Sequence, residues 1–217
     1  MSRSFKVGVL AAAVMAVAPA AQAFEAGSFV VRGGAVHVAP DDSSDKIVVK
    51  GVGNTGTEAA VDSNTQLGLR ASYMLTDSLG LGLLAATPFK HNITAKGGAL
   101  DTPATSDLGE TKHLPPTLTL QYYPMASGSP LQPYAGVGVN YTTFFDEQSP
   151  LGELKLEDSV GAAVEVGVDY MLNDSFGLNA AAWYADIETE AEIKGVTEKF
   201  DVQIDPMVYM IGMTYKF

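Results

Sequence analysis

Three histidines, His37, His91 and His113, are the residues of this chain best suited to move a proton or hold a metal near neutral pH. None stands near a recognisable nucleophile, since the chain has no cysteine and no Gly-x-Ser-x-Gly elbow. No two of them lie at metal-ligand spacing. A Ser-His-acid site is defined by geometry and not by order, but nothing in the sequence points to one, so no catalytic residue, cofactor or metal is expected. The run Gly51-Val52-Gly53-Asn54-Thr55-Gly56 has the spacing of a dinucleotide fingerprint, yet no helix pattern follows it; it reads as a glycine-rich loop. His113, beside Pro115 and Pro116, reads as a capping or hydrogen-bonding residue at a loop end.

Charge narrows the partners further. A formal charge of -12 over 217 residues, with no basic patch, argues against nucleic acid. Residues 1–23 carry Arg3 and Lys6, an apolar run from Val7 to Val17 and the exit Ala21-Gln22-Ala23, which together form a secretory signal peptide. Its removal leaves residues 24–217 as one domain and, with two basic groups gone, a charge of -14. An exported chain without cysteine is not held by disulfides. Beyond the leader no apolar run reaches 18 residues, so no spanning helix is expected, and a closed β-barrel is the other way to cross a membrane.

The elements support that alternative. Met207 to Phe217 places Met207, Tyr209, Ile211, Met213, Tyr215 and Phe217 on one face, a period of two and enough residues for a tilted transmembrane strand. Seven more segments alternate in the same way, at about 28–38, 65–74, 79–86, 114–123, 133–144, 159–170 and 176–185. Short turns such as Thr76-Asp77-Ser78 and Asn173-Asp174-Ser175 take turns with long polar segments at about 39–64, 88–112, 145–158 and 186–205. A soluble barrel would bury its bulky face in the lumen, whereas here the face opposite the bulky residues is mainly small or polar. The expectation is all-β: an eight-stranded antiparallel transmembrane β-barrel of the bacterial outer membrane, with four long extracellular loops. Those loops are acidic without an EF-hand spacing, so they read as a solvated, cation-screened surface facing lipid and lipopolysaccharide.

The alternation places Arg32, Arg70, Glu165, Asp169 and Lys216 inward, where charge must be paired to be tolerated. Such a cluster both holds the barrel and plugs it. Pro88, Pro115 and Pro116 cannot donate to a ladder, so the wall is expected to be weak near Phe89 and Leu114, giving a candidate lateral opening.

Several runs resemble the outer-membrane protein W (OmpW) family: Asn64 to Leu69, Leu83 to Phe89, His113 to Thr117, Pro133-Tyr134, Gly136 to Phe145, and Trp183-Tyr184 with Asp186-Ile187. The resemblance spans the mature chain. It implies a narrow apolar lumen that admits small hydrophobic molecules and passes them sideways into the membrane, constricted by Leu84 and Trp183. Both residues face inward by alternation alone. In the other expected role the barrel is plugged and acts as a structural or surface-interaction protein, a receptor for phage, toxin or host factor. The terminal Phe217 resembles the signature read by the barrel-assembly machinery.

Overall fold

The computed structural model describes residues 24–217; the expected signal peptide at 1–23 lies outside the described residues. Eight strands form the wall: β1 Phe29–Ala39, β2 Asn64–Met74, β3 Leu79–Ala86, β4 Thr117–Tyr122, β5 Leu131–Gln148, β6 Ser159–Met171, β7 Phe176–Ala185 and β8 Met207–Lys216. They pair antiparallel in the circular order β4-β3-β2-β1-β8-β7-β6-β5, and β4 returns to β5 to close the ring. The first and last strands meet from Val30↔Lys216 to Ala39↔Met207. Closure leaves the wall no free edge.

Period two decides which side each residue takes. On β8, Tyr209, Ile211 and Met213 point outward while Val208, Met210 and Thr214 are buried. Ile211 and Val160 are each 74% exposed, in a belt shared with Leu67, Leu69, Val137 and Val166. So much bare aliphatic surface around the whole circumference is stable only against lipid. Tyr73, Tyr122 and Tyr215 mark the short-turn margin of that belt; Tyr141, Tyr184 and Tyr209 stand towards the other.

The segments between the strands at the outer end carry ladders of their own. Phe89–Lys96 and Asp107–Leu114 form a hairpin that pairs with Glu58–Val61 on one side and with the outer part of β5 on the other. Across from it, Leu154–Leu156, Glu188–Ile193, Phe200–Gln203 and Ser43–Ser44 make a four-stranded sheet. The acidic segments thus form a walled cup. The cause is alternation inside them: Ile187, Thr189, Ala191 and Ile193 are buried, while Glu188, Glu190 and Glu192 take the other face.

Candidate functional site

From the short-turn end, the lumen opens on charge. Arg32 grips Asp169 through Nε at 2.9 Å and Nη2 at 2.7 Å, and also donates to Ser72 Oγ at 2.7 Å and Tyr123 Oη at 3.1 Å. Thr214 Oγ1 at 2.6 Å and Asn179 Nδ2 at 3.0 Å donate to the same carboxylate. Next to this layer, Arg70 bonds Glu165 and Tyr134 Oη, and Glu165 Oε1 also accepts from Thr119 at 2.7 Å and Gln121 at 2.9 Å. All four charged groups are buried. Neither carboxylate is left with an empty face, the condition under which buried ion pairs are tolerable. Phe24 and Tyr134 flank the Arg32 guanidinium at 5.7 and 5.2 Å, so the bore is filled from wall to wall.

Four of the five charges expected inside are therefore brought together. Lys216 shares the inward face of β8 but stands half-buried at its end, two residues beyond Thr214. The neutral partners Ser72, Thr119, Gln121, Tyr123, Tyr134, Asn179 and Thr214 were not singled out in the sequence. Their signal was inward parity on strands whose neighbours already held charge.

The constriction lies on the outer side of this layer. Leu84 and Trp183 are both buried and border one void of about 20 Å³, together with Val36, Phe89, His113 and Pro115. That is room for about one water. Trp183 is the ladder partner of Glu165, and Leu84 of Arg70, so each residue of the constriction shares a rung with a charge of the plug.

Beyond the constriction the cup encloses a cavity of about 160 Å³, lined by side chains such as Ile47, Ile93, Leu108, Phe144, Ile187 and Phe200. Its size matches that of an engineered apolar cavity known to hold benzene, roughly 150 Å³. The sequence reading missed this chamber because the charge on the cup's outer face dominated the composition.

Between plug and cup the wall is interrupted. Leu84↔Thr117 is the last rung between β3 and β4, and Phe89↔His113 is the first rung of the hairpin. In between, residues 85–88 face 114–116 with no rung, and Pro88, Pro115 and Pro116 lie in that interval. A proline nitrogen has no hydrogen to donate, and by alternation Pro88 and Pro115 face the gap, which accounts for the break; Pro116 faces β5, its carbonyl accepting from Tyr141 N at 3.0 Å. On its other side β3 stays attached to β2, with Thr87 N donating to Leu67 O at 3.0 Å.

His91 and His113, remote from each other in sequence, meet in the cup with their Nε2 atoms 3.0 Å apart. Burial lowers His113 to about 3, with the His91 ring adding to the effect; burial lowers His91 also, against the pull of Asp62. Both rings are neutral at pH 7. His37 lies elsewhere, on β1, with Nδ1 2.8 Å from Thr65 Oγ1. Among the described residues no three His, Cys, Asp or Glu side chains gather as a metal site.

Comparison with known proteins agrees with this architecture. Outer membrane protein W of Vibrio cholerae serotype O1 is 50% identical over 216 residues, covering 94% of this chain and 96% of the relative. The crystal structure of the outer membrane protein OprG from Pseudomonas aeruginosa superposes with a TM-score of 0.82 at 49% identity, covering 90% of this chain and 98% of that one. A more distant relative, the dibenzothiophene metabolism operon protein PahQ of Pseudomonas aeruginosa, is 26% identical over 179 residues, 81% of this chain and 82% of its own. The model of the OmpW family matches residues 25–217, and the chain belongs to that family, a barrel of the bacterial outer membrane.

Proposed function

We propose that the barrel takes up small hydrophobic molecules passively, receiving them in the cup and releasing them sideways into the outer membrane. The observation that carries this reading is the sequence of spaces along the axis. An apolar chamber of about 160 Å³ ends on a constriction with room for one water, and the constriction ends on a filled ionic plug. A cargo in the chamber has no axial way forward. The rung-free interval at 85–88 and 114–116 opens beside that dead end, at the level of Phe89 and Leu114, next to the lipid-facing belt. The name of PahQ, which ties that relative to the metabolism of an apolar aromatic compound, points the same way. Leu84 and Trp183 then act as the stop that turns the cargo. On the same reading the acidic rim of the cup meets the cation-bridged lipopolysaccharide surface, and the outward-facing Phe217 is offered to the assembly machinery.

Trp183 is the sole tryptophan, which makes the test direct. In liposomes, a small brominated alkane is expected to quench its fluorescence saturably, while brominated phospholipid leaves it unchanged. If neither quenches, the plug seals the chamber from use and the barrel serves as a structural or surface-interaction protein.

A further inference from the structure

The hydrogen bonds around the two cup histidines fix where their protons sit. His91 Nδ1 lies 2.5 Å from the carbonyl oxygen of Asp62, and a carbonyl can only accept, so the proton is on Nδ1. A neutral imidazole carries one proton, which leaves His91 Nε2 a bare acceptor. His113 Nε2, 3.0 Å away, must then be the donor of that pair. The remaining nitrogen, His113 Nδ1, is consequently a bare lone pair. It is buried without a hydrogen-bond partner, in a side chain only 4% exposed.

Every other polar side chain lining the chamber is already engaged. Thr105 Oγ1 donates to Leu100 O at 2.8 Å and Thr189 Oγ1 to Glu157 O at 2.7 Å. Thr111 Oγ1 donates to the Lys112 carbonyl at 3.3 Å, and Thr197 Oγ1 accepts from Ile193 N at 2.9 Å. His91 has used both nitrogens. The other buried side-chain atom without a partner among the described residues, Asn179 Oδ1, belongs to the ionic layer and not to the cup. An orphaned buried acceptor in a native fold calls for a partner, and a single water has too few polar neighbours here to be held.

We propose that the cup selects a ring-sized apolar molecule bearing one O–H or N–H donor, a phenol or comparable alcohol or N-heterocycle, with His113 Nδ1 as the acceptor that distinguishes it from the bare hydrocarbon. His113 borders both the chamber and the small void at the constriction, so it stands where cargo would turn. The rings of Phe89 and Phe144 flank it at 5.5 and 5.9 Å, and the donor reaches Nδ1 as one of them turns aside. The proposal rests on the reading of the cup as a chamber for apolar ligands.

The test uses ¹⁹F NMR of 4-fluorophenol and fluorobenzene titrated into the purified barrel in micelles, with protein-free micelles correcting for partition. One satisfied hydrogen bond predicts that 4-fluorophenol binds about five- to tenfold more tightly than fluorobenzene. In His113→Phe the ratio is expected to fall to about one while fluorobenzene affinity is kept. A ratio near one in the unaltered protein, or a preference that survives His113→Phe, overturns the assignment of His113 and leaves the apolar chamber standing. If neither probe binds, the chamber reading falls and this proposal with it. Should the variant misfold, ¹⁵N-histidine labelling of the unaltered barrel decides: the His113 Nδ1 resonance must start as that of an unprotonated nitrogen and move with 4-fluorophenol but not with fluorobenzene.

Discussion

The guanidinium carbon of Arg70 lies 5.1 Å from the centre of the Trp183 ring. The same cation that neutralises Glu165 therefore also props the indole that narrows the lumen. Plug and constriction are one packed unit.

That coupling predicts the cost of breaking it. Arg70→Met leaves Glu165 buried beside Thr119 and Gln121 without its counter-charge, a loss of about 3–5 kcal/mol. The temperature at which the barrel loses its compact migration on a denaturing gel should fall accordingly. Arg70→Met with Glu165→Leu removes both charges and is expected to recover most of the loss.

Trp183→Ala keeps the ion pair but removes the indole between it and the cup. Truncating a buried aromatic costs about 3–5 kcal/mol where the surroundings cannot collapse. The void of about 20 Å³ should enlarge enough to admit a ring. Uptake of an apolar compound by cells carrying the variant should change, whereas deletion of residues 145–158 alone changes uptake only if the cup itself receives cargo.

Acid should loosen the cup before the wall. His113 titrates at about 3 in the fold, against roughly 6.5 in an unfolded chain. The opened cup therefore takes up the proton first, and the stability from its neutral rings is complete above about pH 6.5 and declines as pH drops towards 3. The charged neighbour on this side is Asp62, 3.6 Å from His91 Nδ1. Protease nicking of residues 88–114 at pH 5 and pH 7.5 measures this, and His113→Phe should reduce the difference between the two.

Gly98 tests the roof. Its φ of +67° suits glycine, and a Cβ there would stand 2.5 Å from Thr55 O and the Gly56 carbonyl carbon. Gly98→Ala should cost about 1–3 kcal/mol of local stability, seen as faster amide exchange at Thr57 and Leu100 with no change at mid-wall residues such as Val164.

Pro115→Val restores a donor in the rung-free interval, since Pro116 faces β5, where its carbonyl accepts from Tyr141 N at 3.0 Å. If sideways release governs uptake, transport should slow while binding in the cup stays unchanged. Unaltered transport would leave the interval without a role.

The wall was legible because alternation on each strand is long and carries bulky apolar residues on one side, as on β6 from Val160 to Tyr170. Leu84 and Trp183 came with it by parity. Pairing inside the lumen was not, since Arg32 and Asp169 are 137 residues apart and meet only when the ring closes. The cup was hidden for a different reason. Its strands are short, and charged residues such as Glu188 and Glu192 stand between the buried ones, so composition pointed to solvated loops although Phe200, Val202 and Ile204 alternate as a strand does. The meeting of His91 with His113 depends on hairpin register, which spacing along the chain does not reveal.

β5 runs 18 residues from Leu131 to Gln148, pairing with β4 up to Asn140 and then, from Thr143, with the hairpin strand Asp107–Leu114, which ends just before Pro115. A single strand thus sets the phase of the membrane wall and, up to a register shift between Phe145 and Gln148, of the base of the cup. One residue inserted near Tyr141 would turn Phe144 from the chamber to the outside, because a strand repeats every two residues. The same insertion at Gly51-Val52, a turn where Val52 is 77% exposed, would only lengthen a tip. Changes in chain length are thereby steered to the rim of the molecule, and the depth of the chamber above the bilayer stays fixed while its mouth is free to vary.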